Sequence, residues 1–174
     1  MNVAIIIVAT GPYIKFFKKL ADSIRRLFLP GVKKTFLLFT NGKEVWPEDV
    51  ITVPALQLPW PLPSLLRFDR FLELDLTPYD LVFYFDADQE VISQIELPEV
   101  LPVPGQLTGV IHYASQLFKD RLFETTPNST AFCNSDLMTH YYHASFFGGY
   151  TADFRKMAEV CAINIAKELN FNFI

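Results

Sequence analysis

The stretch Phe83-Tyr84-Phe85-Asp86-Ala87-Asp88-Gln89-Glu90-Val91 decides how the rest of the chain reads. The apolar run 81–85 that enters it predicts a buried strand, and that run stops at two aspartates. Successive side chains of an extended chain point to opposite faces, so Asp86 and Asp88 are expected on one side with Ala87 between them. Two carboxylates at the end of a buried strand are costly unless a positive charge sits on them. A hard divalent cation would do so, and oxygen ligands suit Mg2+ or Mn2+. Still open on its other side, such a cation is suited to holding a diphosphate. A bare D-x-D reads first as an ordinary strand-end turn, so the surrounding chain has to decide.

That chain has 174 residues, enough for one domain with a proper core, and it is expected to form one domain over 1–174. It is 51% hydrophobic with 17 Phe, which argues a dense core and against disorder. Fifteen Lys+Arg against 19 Asp+Glu do not resemble a basic nucleic-acid surface, and no nucleic-acid partner is expected. The pairs Lys18-Lys19, Arg25-Arg26 and Lys33-Lys34 read as a solvated helix face. Two cysteines, Cys133 and Cys161, form neither a disulfide framework nor a zinc set, and fit a reducing cytoplasm. The apolar run 3–9 is too short for a signal peptide or a membrane span.

Taken in order, 3–9 predicts a first strand, and Thr10-Gly11-Pro12 turns it into a helix with an apolar stripe of Tyr13, Phe17, Leu20, Ile24 and Leu27. Strands follow over 35–40 and 50–56, then a proline-rich path over 58–64. Ser64 is placed to cap a helix over 65–74 ahead of the D-x-D strand. A strand over 107–113, a weakly patterned loop over 116–137 and an aromatic segment over 141–150 come next. Asp153 is placed to cap a last helix showing Phe154, Met157, Cys161 and Ile165 on one face. Alternating strands and helices predict an α/β fold with a mostly parallel sheet, whose ligands sit beyond the carboxyl ends of the strands.

Four segments, in order, resemble glycosyltransferase family 6, the retaining enzymes that include α-1,3-galactosyltransferases and the blood-group A and B transferases. They are IIVATGPYIKFFKKL, SLLRFDRF, FYFDADQEV and HYYHASFFGGY. The resemblance covers about residues 3–170 and implies a GT-A-like nucleotide-sugar fold. It implies Val8, Thr10 and Tyr13 beside the uracil base, Arg67 as the nucleotide-contacting arginine, and Asp86 and Asp88 as metal ligands flanking Ala87. His143, Ala144 and Ser145, with Gly148-Gly149, would line the donor sugar, and His112 would face the acceptor. Implied with them are Mn2+ (or Mg2+), a UDP-sugar donor carrying galactose, N-acetylgalactosamine or glucose, and a glycan acceptor.

The family continues into a C-terminal Trp-His-Asp-Glu-Ser motif whose Glu acts at the anomeric carbon. These 174 residues carry no such motif, and both tryptophans, Trp46 and Trp60, lie upstream. Either a shortened chain or a naturally minimal member is expected, with donor binding better supported than transfer. No catalytic residue is assigned: His143 and Gln89 are the candidates nearest the sugar, while Glu124 and Asp136 lack matching context. Donor hydrolysis is an expected side activity. Two other readings stand beside the transferase. One is a UDP-sugar-binding module without turnover. The other is a D-x-D phosphatase, disfavoured because the motif sits mid-chain with no acidic pair after Asp88.

Considered without the family, several residues have plainer roles. Arg67 could be a helix ion pair or lie on a solvated face, Tyr13 part of an apolar stripe, and Gly148-Gly149 a close backbone approach or a strand-end turn. Glu90 is expected to face solvent.

Overall fold

Four parallel strands carry the centre of the computed structural model, which describes residues 1–113, 123–134 and 139–170. They are β1 (Asn2–Val8), β2 (Lys33–Thr40), β3 (Val50–Pro54) and β4 (Leu81–Asp86). Two more, β5 (Thr108–Ile111) and β6 (Tyr142–Tyr150), complete a sheet of order β3-β2-β1-β4-β6-β5, in which β6 runs antiparallel to both neighbours. This mixed α/β sheet is the mostly parallel architecture that the alternating pattern predicts, and it is consistent with the GT-A-like fold that the resemblance implies. The order reverses between β1 and β4, so the carboxyl ends of these two strands, Val8 and Asp86, lie side by side in register.

Both faces of the central strands are buried, which is why they read as unbroken apolar runs rather than alternating ones. On one face Val3, Ile5, Ile7, Phe36, Phe83 and Phe85 pack under α1 (Ile14–Leu27) through Phe17, Leu20, Ala21 and Ile24. The other face carries Ala4, Ile6, Phe39, Val82 and Tyr84. It is covered by α3 (Arg67–Leu72), which follows the one-turn α2 (Leu62–Leu65), and by the last helix. A further one-turn helix, α4 (Leu97–Val100), precedes β5, and α5 (Thr151–Asn170) ends the described chain.

Several expectations need correction. Tyr13 is not in the first helix's buried stripe. It closes a 3-10 turn, Gly11–Tyr13, ahead of α1 and is 51% exposed. Ser64 does not cap a long helix, because the chain breaks into α2 and α3 and neither has a side-chain cap. Asp153 lies inside the first turn of α5, where its carboxylate accepts the Gly105 N–H at 2.9 Å. The buried face of α5 is Phe154, Ala158, Ala162 and Glu168, so the stripe sits off the predicted one beyond Phe154. Of the two readings of Gly148, the strand-end turn falls and the close backbone approach holds. It pairs with Phe83 inside the ladder, and a Cβ there would collide with the Phe83 ring and the Val82 carbonyl. The expected loop 116–137 and the acid Asp136 fall partly or wholly outside the described residues.

Basic pairs expected on a solvated face are partly engaged. Arg25 donates to the Asp49 carboxylate at 2.7 and 2.9 Å and to Asp22 at 2.9 Å, and Lys34 donates to the carbonyls of Leu29 and Val32. Glu90 pairs with Lys19 at 2.6 Å at the surface.

Candidate functional site

The turn after β1 and the turn after β4 meet where the strand order reverses. Thr10 is buried at the first of them, and Gly11 takes φ +57, a conformation that favours glycine. A side chain at Gly11 would run into Gln57. The Gly11 N–H donates to Asn41 Oδ1 at 2.8 Å, which ties this turn to the end of β2. Asn41 reads in the sequence only as half of an Asn-Gly turn signal, so its role in pinning the neighbouring turn was not legible there.

At the second turn β4 ends with Asp86, and Ala87-Asp88 leave the strand, with the Gln89 N–H returning to the Asp86 carbonyl at 3.1 Å. Asp88 and Gln89 are exposed and Ala87 is buried. Asp88 thus stands in a turn rather than on a continued strand. Asp86 is held from beneath. The Tyr84 hydroxyl donates to its Oδ1 at 2.5 Å, and Arg67 Nη1 stands 3.5 Å from that same oxygen. Burial pushes the Asp86 carboxyl above the ordinary carboxylate range, while the Tyr84 hydrogen bond and the Arg67 charge oppose it. Burial, reinforced by Asp86, drives the Tyr84 phenol far upward, so it remains a donor at neutral pH.

Arg67 is 8% exposed, which rules out a solvated face for it. Its guanidinium lies over the rings of Tyr84, Phe68 and Phe147 at 5.0, 5.2 and 5.7 Å, and its Nη1 donates weakly to the Ala144 carbonyl at 3.4 Å. Its Nε is buried without a hydrogen-bond partner. Arg70, one turn further on, is buried as well and donates to the Leu56 carbonyl at 2.9 Å, holding the loop after β3.

Beyond the last β4–β6 pair, Phe85 with Phe146, lie Ser145, Ala144 and His143. Ser145 is buried and its N–H donates to His143 Nδ1 at 3.1 Å, so the ring's hydrogen sits on Nε2. His112 stacks on His143, with centroids 4.9 Å apart and planes 11° from parallel. The two histidines expected to make sugar-side contacts, His112 toward the acceptor and His143 near the donor, thus stand side by side. A cavity of about 470 Å³ runs from Arg67, His143 and Ala144 under β5–β6 to Thr108 and Met157. Glu124 stands apart, exposed, with its carboxylate accepting the Thr126 N–H at 2.7 Å.

Two oxygen-bearing acids are what this site offers a cation. Among the described residues no group of three or more His, Cys, Asp or Glu side chains converges on a metal position. That donor set fits an ion such as Mg2+ or Mn2+, which commonly takes one or two carboxylates and completes its shell with phosphate oxygens and water.

A mostly parallel sheet flanked by helices, its order reversing between β1 and β4, is consistent with a GT-A-like, Rossmann-related fold. Along its full length the chain is similar to O-antigen biosynthesis glycosyltransferase WbnI of Escherichia coli, with 28% identity over 184 aligned positions covering 100% of this chain and 76% of that protein. No family model matches the chain. The similarity supports glycosyl transfer as the general activity, with a sugar donor and a sugar acceptor. No described helix is long and apolar enough to cross a membrane.

Proposed function

We propose that the chain is a retaining, metal-dependent glycosyltransferase of the family 6 type. It would move galactose or N-acetylgalactosamine, with glucose as the further option, from a UDP-sugar to a glycan acceptor. The observation that carries the reading is Asp86 at the switch point, in register with Val8, backed by Tyr84 and Arg67.

In this reading Asp86 and Asp88 hold Mn2+ or Mg2+. When bound, the cation offsets the negative charge that develops on the departing diphosphate. Tyr84 occupies Asp86 Oδ1 and leaves Oδ2 to the ion. Arg67 adds fixed positive charge from below, in a site where the surrounding rings keep the dielectric low. Tyr13, exposed beside the β1 turn with Val8 and Thr10, offers a ring face to the base. His143 presents Nε2–H as a donor toward a sugar hydroxyl, and Ala144 leaves space beside it. No described carboxylate is assigned as nucleophile, so the chain's own residues supply donor binding, charge stabilisation and orientation.

The reading is tested by incubating the protein and Mn2+ with UDP-galactose, UDP-N-acetylgalactosamine and UDP-glucose, each with and without a saccharide acceptor. UDP release from one donor that rises with acceptor supports it. A chain that binds UDP yet releases none from any donor would instead be a UDP-sugar-binding module.

A further inference from the structure

We propose, on the transferase reading above, that His112 is a positioning residue: it holds the ring of His143 so that its Nε2–H is presented to the donor sugar. The placement comes from an irregularity in the sheet. β5 and β6 pair as Thr108 with Gly148 and Gly109 with Phe147, and then Val110 pairs with His143 and Ile111 with Tyr142. Ala144, Ser145 and Phe146 thus have no partner on β5, a bulge at the point where the site lies. An unbroken register would set Val110 against Phe146 and His112 against Ala144. The shift sets His112 against Tyr141 instead, whose carbonyl accepts the His112 N–H at 2.7 Å. His143, two residues on from Tyr141, then shares a face with His112 as its diagonal neighbour, within reach of a ring. The stack is the result, with centroids 4.9 Å apart and planes 11° from parallel.

His143 is exposed, so core packing does not choose its rotamer. Two contacts restrain it. The Ser145 N–H on Nδ1 at 3.1 Å fixes one edge of the ring and puts the ring hydrogen on the far edge, at Nε2. The His112 ring covers one face and sets the plane. His143 lines a cavity together with Arg67 and Ala144, which the transferase reading makes the donor side. His112 therefore acts on the donor through His143. What the stack asks of position 112 is a flat ring: phenylalanine has a plane to set, and an aliphatic side chain has none.

The chain has 3 His, so NMR of isotope-labelled imidazole nitrogens can follow each ring in the whole, ligand-free protein. His143 should hold one tautomer, with its hydrogen on Nε2. H112A should let that ring average between tautomers, H112L (bulk without a plane) should do the same, and H112F should keep it fixed. Calorimetric titration in the presence of Mn2+ reads the consequence, with UDP, UDP-galactose, UDP-N-acetylgalactosamine and UDP-glucose as probes. In H112A and H112L, affinity for the UDP-sugar that the native chain binds should fall about fivefold relative to that for UDP, the size of one ordinary hydrogen bond. H112F should restore it. In an H143A background, H112A should cost nothing further. An averaging His143 in the native chain, H112F as damaging as H112A, or additive losses in the double variant would overturn the positioning role and leave the transferase reading standing. Equal loss of UDP and UDP-sugar affinity in H112A and H112L would overturn it as well, as a merely structural effect. A native chain whose His143 ring is fixed yet which binds no UDP-sugar would overturn both.

Discussion

Tyr84 and Asp86, two residues apart on one face of β4, meet on a single oxygen: the phenol donates to Asp86 Oδ1 at 2.5 Å. A buried strand end thereby holds one oxygen of the carboxylate and leaves the second outside that bond. Tyr84→Phe removes this donor but keeps the ring against Phe71 and Phe147. Loss of a hydrogen bond to a charged group should destabilise the metal-free protein by about 2 kcal/mol. Denaturant titration reads that loss. Mn2+ affinity should fall several-fold in the same variant, because the carboxylate loses its fixed orientation.

Arg67→Lys tests whether the planar guanidinium matters. Lysine keeps the charge but not the stacking on Tyr84 and Phe147, nor the fork toward Asp86 and the Ala144 carbonyl. UDP affinity in the presence of Mn2+ should drop by about tenfold, the size of one lost charge-assisted contact. An unchanged UDP affinity would place Arg67 in a purely structural role.

Gly148→Ala should cost about 3 kcal/mol, the upper range for overpacking, because its new Cβ meets the Val82 carbonyl, which the ladder holds in place. Thermal unfolding measures it. A near-neutral result would mean that β6 can move away from β4.

Glu168 supplies a pH-dependent prediction. The Thr130 N–H donates to its carboxylate at 2.5 Å and holds its pKa below the ordinary value of 4.5. A depressed carboxyl contributes stability that is fully present above the unfolded-state pKa and is lost as pH falls through the lower folded-state value. The stability difference between native protein and Glu168→Gln should therefore be largest near neutral pH and shrink in acid. A difference that grows with acidification would contradict the assignment.

Much of this arrangement was legible in the sequence, and the misses have physical causes. The runs through Ile5 and Phe83 announce buried parallel strands because both of their faces are covered. Their abrupt ends at Thr10 and Asp86 mark the switch-point edge for the same reason. Tyr84 carried a readable signal, since it shares a face with Asp86 at period 2, but a tyrosine inside an aromatic run looks like core. The burial of Arg67 was not legible, because three rings brought from α3, β4 and β6 create it. The stacking of His112 on His143 is likewise tertiary: it follows from β5 pairing antiparallel with β6. Helix ends were misjudged at Ser64 and Asp153, where a cap-forming residue type is spent on other contacts or on none.

The central claim is that Asp86 and Asp88 hold a divalent cation that in turn holds a nucleoside diphosphate. Calorimetric titration of UDP with and without Mn2+, on the native chain and on Asp88→Ala, addresses it most directly. Asp88 is exposed, so its removal leaves the core intact. Tight UDP binding that requires Mn2+ and falls at least tenfold in Asp88→Ala is the predicted result. Binding that ignores the metal, or that survives the substitution unchanged, would contradict the account and reduce the two aspartates to an ordinary turn at the end of a strand.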